Sequence, residues 1–380
     1  MLDNSESLIG QKIGKYRVVE VLGYGAMGVV LKAEREPQET GEPVEKDLGS
    51  RFVAIKVLSA QLSRDGVSKE RMLREAEMLR RLHHPNIVET REFGLLKDGR
   101  AYLVMEFVQG ETLDSYLDRS KIAPVDLVVN IGLQLANAMQ VAHERGVIHR
   151  DLKPPNVMLA KVEGQLFIKV LDFGVARLMD EERRLTRTGE VVGSPIYMSP
   201  EQCQGKPMDS RSDIYSLGIV LFYSLTGWYP HKGNTLRDTF VLKTTMPCPS
   251  IKEKNPGYDG PVELDKLIQR CLSIEPDDRY PSMEEVFVEL QEIAERYQIS
   301  TAPVPGLGDE ARRVTADSNQ GEPIGVDRLR AFSAKSSGSG PAKFFKRVFD
   351  GPTALVVISV CLALFFAVIS LVPLLRLNSQ

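Results

Sequence analysis

Eight consecutive residues, His149-Arg150-Asp151-Leu152-Lys153-Pro154-Pro155-Asn156, place in one short stretch several groups that a phosphoryl transfer requires. A carboxylate such as Asp151 can orient a hydroxyl nucleophile and take its proton. The ammonium of Lys153, two residues on, can neutralise charge on a group in flight. Asn156, and Asp172 in Leu171-Asp172-Phe173-Gly174, add an amide oxygen and a second carboxylate, hard oxygen ligands suited to Mg2+. Each residue type is common alone. The two stretches together form a long and specific pattern.

Upstream, Gly23-Tyr24-Gly25-Ala26-Met27-Gly28-Val29-Val30 fits G-x-G-x-x-G-x-V. A glycine pattern of this kind also opens dinucleotide-binding folds, or marks nothing more than a tight hairpin. A dinucleotide turn should run into a helix, whereas Val29-Val30-Leu31 favours strand. A strand–loop–strand turn free of side chains can fold over the phosphates of a nucleotide. Lys56 closes the apolar run Val53-Ala54-Ile55-Lys56. If it faces inward it needs anions, either phosphates or a carboxylate. Glu75 is the candidate carboxylate and Glu77 the fallback; taken alone, either reads equally as a solvated helix-face glutamate.

The elements that must hold these groups follow from hydrophobic spacing. Tyr16 to Ala33 reads as two strands about the glycine turn, and Glu34 to Arg51, with two prolines and two glycines, as a loop insertion. Phe52–Leu58 and Tyr102–Val108 read as strands. Met72, Leu73, Ala76, Leu79 and Leu82 recur at helical spacing. Helical periodicity then dominates from Leu113 to Ala142 and again beyond Asp213. A strand-rich part followed by a larger helix-rich part predicts two lobes with a cleft between them.

Taken together these motifs resemble the eukaryotic-like protein kinases, and within them the Ser/Thr kinases of bacteria, over about residues 16–297. The resemblance implies an α+β bilobal kinase fold: an extension at 1–15, a strand-rich N-lobe at about 16–108 and a helical C-lobe at about 109–297. It implies ATP and Mg2+ as cofactors, with Mn2+ as a substitute, and protein Ser/Thr hydroxyls as acceptors, the latter from Lys153. By the same resemblance Asp151 is the catalytic base, Lys56 binds phosphates and pairs with Glu75, and Asn156 and Asp172 hold the metal. Leu22, Gly23, Gly25, Gly28, Val30 and Ala54 surround the nucleotide, Met105 is the gatekeeper, and the backbone of Glu106 and Val108 grips adenine. Ser199-Pro200-Glu201 matches the A-P-E signature, with Glu201 expected to pair with Arg279 and Asp213 to brace the catalytic loop. Thr186 and Thr188 match threonines that relatives phosphorylate; phosphate there could dock on Arg150, and autophosphorylation in trans implies a homodimer. The insertion, Ser194 and Ser199 depart from the family pattern, but no catalytic group is missing. That disfavours a pseudokinase scaffold, and the segment ending at Glu201 suits a peptide acceptor better than a small molecule.

The rest of the chain bears on location. Its 380 residues carry 48 Lys+Arg against 51 Asp+Glu, a net −3, which excludes a nucleic-acid partner chosen by bulk charge. Four separated cysteines form no C-x-x-C pair and fit a reducing compartment. Residues 298–352 read as a flexible linker. Thr353 to Leu375 contains no charge and, as a helix, would be about 34 Å long, enough to span a bilayer. Lys335, Lys343, Lys346 and Arg347 on its N-terminal side predict a cytoplasmic kinase domain, a single pass through the cell membrane and an external tail at 376–380. Bases interleaved with aromatics at 343–349 suit contact with lipid headgroups.

Overall fold

The described part of the chain opens on a short antiparallel pair, Lys12–Ile13 against Tyr16–Arg17, turned at Gly14, whose φ of 59° suits a residue without a side chain. The structure, a computed structural model, describes residues 8–25, 28–36, 51–59, 78–162, 165–173 and 195–301. Six strands form one antiparallel sheet: β1 (Lys12–Ile13), β2 (Tyr16–Gly25), β3 (Gly28–Arg35), β4 (Phe52–Leu58), β5 (Thr90–Leu95) and β6 (Ala101–Glu106), in the order β1-β2-β3-β4-β6-β5. Alternate residues of β3 and β4, such as Val29, Leu31, Val53 and Ile55, pack with Val18 and Val104 into an N-lobe core. The period of two leaves the other face for Val30, Ala54 and Lys56.

Three boundaries differ from those expected. Leu8 and Ile13 are buried in this core and Lys12–Ile13 pairs with β2, so the end of the expected extension belongs to the sheet. β3 runs on to Arg35, with Glu34 opposite Phe52 and the Arg35 N–H on the Arg51 carbonyl at 3.2 Å. The expected insertion therefore starts later and leaves from two adjacent strand ends. β6 stops at Glu106, two residues before Val108.

The helical lobe contains α1 (Leu113–Ser120), α2 (Val125–Glu144), α3 (Pro200–Cys203), α4 (Arg211–Thr226), α5 (Leu236–Thr245), α6 (Ile251–Lys254), α7 (Val262–Cys271) and α8 (Met283–Arg296). The helical run expected over 113–142 is two helices, because Pro124 offers no N–H and disfavours helical backbone at the residue before it. α1 starts at Thr112, whose Oγ1 accepts from the Ser115 N–H at 3.1 Å. α2 and α4 form the centre of the lobe. α2 is long and apolar enough to cross a membrane, but Val128, Ile131, Leu135 and Met139 are buried in the lobe core. α4 ends at Gly227, in the left-handed region at φ 70°. A second sheet, β7 (Glu111–Thr112), β8 (Val157–Val162) and β9 (Gln165–Val170), carries the chain past the cleft. Residues 353–375 lie outside the described residues.

Candidate active site

Lys56 reaches the cleft because of strand register. Val30, Lys56 and Leu103 are opposed across β3, β4 and β6, and Ala54 is opposed to Met105, so all five share the face away from the N-lobe core. Only 5% of Lys56 is exposed, and its Nζ lies 2.7 Å from Asp172 Oδ2. A buried ammonium needs such an anion. Asp172 sits just past β9 at φ 57°, a conformation that L-residues rarely adopt and the surroundings must impose. Two bonds impose it: the Leu171 N–H donates to the Asn156 carbonyl at 2.8 Å, and His149 Nε2 donates to the Leu171 carbonyl at 2.9 Å. The Asp151 N–H donates to His149 Nδ1 at 3.3 Å, which fixes the tautomer with its proton on Nε2.

Asp151 stands at the centre of this mesh. Lys153 Nζ is 2.7 Å from its Oδ2, and Asn156 Nδ2 donates to its carbonyl at 2.8 Å. Pro154 and Pro155 open the single 3-10 turn Pro154–Asn156 that brings Asn156 back toward Asp151. With Nδ2 committed there, the amide oxygen of Asn156 has no partner among the described residues and remains for a cation. Asp172 adds a second hard oxygen donor, and no cluster of three His, Cys, Asp or Glu side chains occurs among the described residues. One carboxylate and an amide oxygen, completed by substrate phosphates, fit Mg2+ better than an all-protein cage does.

Asp213, fully buried on α4, holds the catalytic loop. It accepts from the N–H groups of His149 and Arg150, each at 2.8 Å, and from His143 Nε2 at 2.7 Å. Burial alone would push this carboxyl up; the His143 bond and the His149 amide reverse that and hold it below the usual range. Arg150, at φ 68°, takes the strained turn that these bonds require.

The residues expected to meet a nucleotide line the β2–β3 hairpin and the sheet face beside Lys56. Among the described residues, an added Cβ at Gly23 or Gly25 meets no atom within 4 Å. Gly28 differs: at φ 140° an added Cβ would sit 2.0 Å from the Val57 carbonyl oxygen. Leu22 is exposed, while Val30, Ala54 and Val108 are half-buried. Met105 lines a small cavity with Leu82, Ile87, Leu103 and Phe173. The Glu106 side chain bridges the lobes by pairing with Lys169 at 2.5 Å. Glu75, Glu77, Thr186, Thr188 and Ser194 lie outside the described residues.

At the far edge, Glu201 and Arg279 meet through two bonds of 2.9 and 2.8 Å, and the Ser212 hydroxyl adds a third to Glu201 at 2.6 Å. Gln202 Nε2 donates to the Arg150 carbonyl at 3.0 Å, tying this segment to the residue beside Asp151. His143, Lys169, Gln202 and Ser212 escape a reading of the sequence. Only Gln202 carried a signal, as the fourth residue of a Ser-x-x-Gln capping box with Ser199.

Comparison with known proteins agrees with this geometry. The family model described as "Protein kinase domain" matches residues 16–289. Serine/threonine-protein kinase pkn3 of Myxococcus xanthus is 36% identical over 306 residues, covering 79% of this chain and 54% of that protein. PkaA of Streptomyces coelicolor is 38% identical over 283 residues, covering 74% and 50% respectively. This chain thus spans about half the length of these curated relatives. The crystal structure of the Mycobacterium tuberculosis PknI kinase domain superposes with a TM-score of 0.57 at 28% identity, covering 75% of this chain and 98% of that one.

Proposed function

The chain belongs to the protein kinase family, and from that premise we propose that it transfers the γ-phosphoryl group of ATP to Ser/Thr hydroxyls of proteins. The observation that carries this is one mesh joining Asp151, Lys153, Asn156, Asp172 and Lys56, with every residue held by a named bond. Magnesium, when bound, would neutralise the phosphate charge, with Asn156 and Asp172 as its protein ligands. Lys56, displaced from Asp172, would meet the nucleotide phosphates. Asp151 orients the acceptor hydroxyl and takes its proton, while Lys153 presents its charge to the phosphoryl group in transit. Positioning and charge supply the rate enhancement, because this transfer demands little covalent work from a protein.

Three further readings belong to the same proposal. The charge-free residues 353–375, with bases ahead of them, support a membrane span with the kinase domain cytoplasmic. Thr186 and Thr188 support activation by autophosphorylation in trans, and so a transient homodimer. The presence of Lys56, Asp151 and Asp172 together counts against a scaffold without catalysis.

Incubation of the full chain with labelled Mg-ATP and casein, followed by phosphoamino-acid analysis, tests the reading. Label on serine and threonine is the expected result; label only on tyrosine, or none, overturns it. Loss of activity in Thr186→Ala/Thr188→Ala is expected, and full activity there removes the autophosphorylation switch.

A further inference from the structure

Lys243, on α5, is fully buried, yet among the described residues no carboxylate pairs with it. Its Nζ donates to the Met198 carbonyl at 2.9 Å and lies 5.0 Å above the ring of Tyr215. Burial pulls its pKa down from the usual 10.5 to about 8, and only the nearby Cys203 thiol opposes that pull. The Arg279 guanidinium also lies over the Tyr215 ring, 4.9 Å from its centroid, so a second cation shares this ring. Its hydroxyl is buried without a partner among the described residues. An arrangement this poorly satisfied lowers stability: a buried ammonium without an anion is costly, and an apolar side chain of similar volume is commonly better tolerated.

The carbonyl that Lys243 holds belongs to a segment bonded to the catalytic loop. Met198 precedes Ser199, the N-cap of α3, and Ser199 and Gln202 bond each other reciprocally. Gln202 in turn donates to the Arg150 carbonyl, one residue from Asp151. Glu201 anchors the same short segment to Arg279. The strip Tyr197–Gln202 is thus fixed on one side to the loop that carries Asp151 and on the other to α5. The strip therefore borders the loop on which an acceptor hydroxyl would meet Asp151.

We propose that Lys243 is a positioning residue for the protein acceptor, fixing the Met198 carbonyl and through it the strip against which the acceptor lies. The inference rests on the phosphotransfer reading above. It separates binding of the acceptor from binding of ATP, because Lys243 contacts the strip and none of the residues assigned to the nucleotide.

The test compares the full chain with its Lys243→Met variant, measuring KM for casein, KM for ATP and thermal midpoint. The expected result is a KM for casein raised about tenfold, a KM for ATP changed by less than about twofold and a thermal midpoint equal or higher. Lys243→Gln, which keeps a donor for the Met198 carbonyl, should fall between the variant and the parent. An unchanged KM for casein overturns the proposal. A parallel loss in both KM values with a lower midpoint, in both variants, also overturns it, because the residue is then structural. If the unaltered chain transfers no phosphate, the phosphotransfer reading fails first and takes this one with it; that outcome is visible before any variant is made.

Discussion

Arg279 commits its guanidinium to both oxygens of Glu201 and to the carbonyls of Ser273, Ile274 and Arg211, and only 2% of it is exposed. Removing one partner of such a pair strands a buried charge, so Arg279→Leu should cost about 3–5 kcal/mol of unfolding free energy in urea titration. A loss below about 1 kcal/mol would contradict the pairing as described. The pair also sets a pH dependence. Burial alone would raise the Glu201 carboxyl, but the Arg279 bonds and charge, with the Ser212 hydroxyl, bring it from 4.5 down to about 2. A carboxylate whose folded pKa is depressed stabilises the fold fully above the unfolded value, and the contribution disappears as pH falls through the folded one. Part of the stability should therefore be lost between about pH 4.5 and about pH 2. That part should be missing from Glu201→Gln, which is less stable at neutral pH but flatter across the window. Equal slopes for the two proteins would show that Glu201 is not the group responsible.

At the scale of elements, the β2–β3 hairpin and the start of α4 set the two sides of the cleft. Gly28 approaches Val57 too closely for any Cβ, so Gly28→Ala must shift the hairpin. The expected effect is a KM for ATP raised about tenfold with the KM for casein little changed; an unaltered KM for ATP would mean the hairpin does not position the nucleotide. Asp213 joins α4 to the catalytic loop through two bonds and to His143 on α2 through a third. An asparagine cannot accept all three with its single oxygen, so Asp213→Asn should lower turnover and the thermal midpoint together. What the sequence made legible depended on how local each cause was. Asp151, Asn156 and Asp172 were legible because chemistry dictates their types within a short span. β4 was legible because a seven-residue run, apolar except for Lys56 and bounded by polar residues, has few other fates. The break at Pro124 is hidden in the sequence by helical periodicity that continues on both sides of it. Lys243, Lys169 and His143 were not legible. A single lysine or histidine on a helix or strand looks solvated until a partner distant in sequence is placed beside it.

At the scale of the whole molecule, the kinase domain covers residues 16–289, and the proposed span at 353–375 would bring the chain to a membrane surface. Fractionation tests this: the full chain should sediment with membranes and resist extraction by salt, while residues 1–301 should remain in the aqueous fraction. A full chain that stays soluble removes the membrane assignment and leaves the catalytic one untouched. The catalytic assignment depends on Asp151 acting as the base within a mesh that binds nucleotide independently of it. The most direct measurement is transfer of labelled phosphate from Mg-ATP by the full chain and by Asp151→Asn, with ATP affinity determined for both. A fall in turnover of about a thousandfold, with affinity for ATP nearly unchanged, is the predicted result. Turnover preserved in the asparagine variant would contradict the account at its centre.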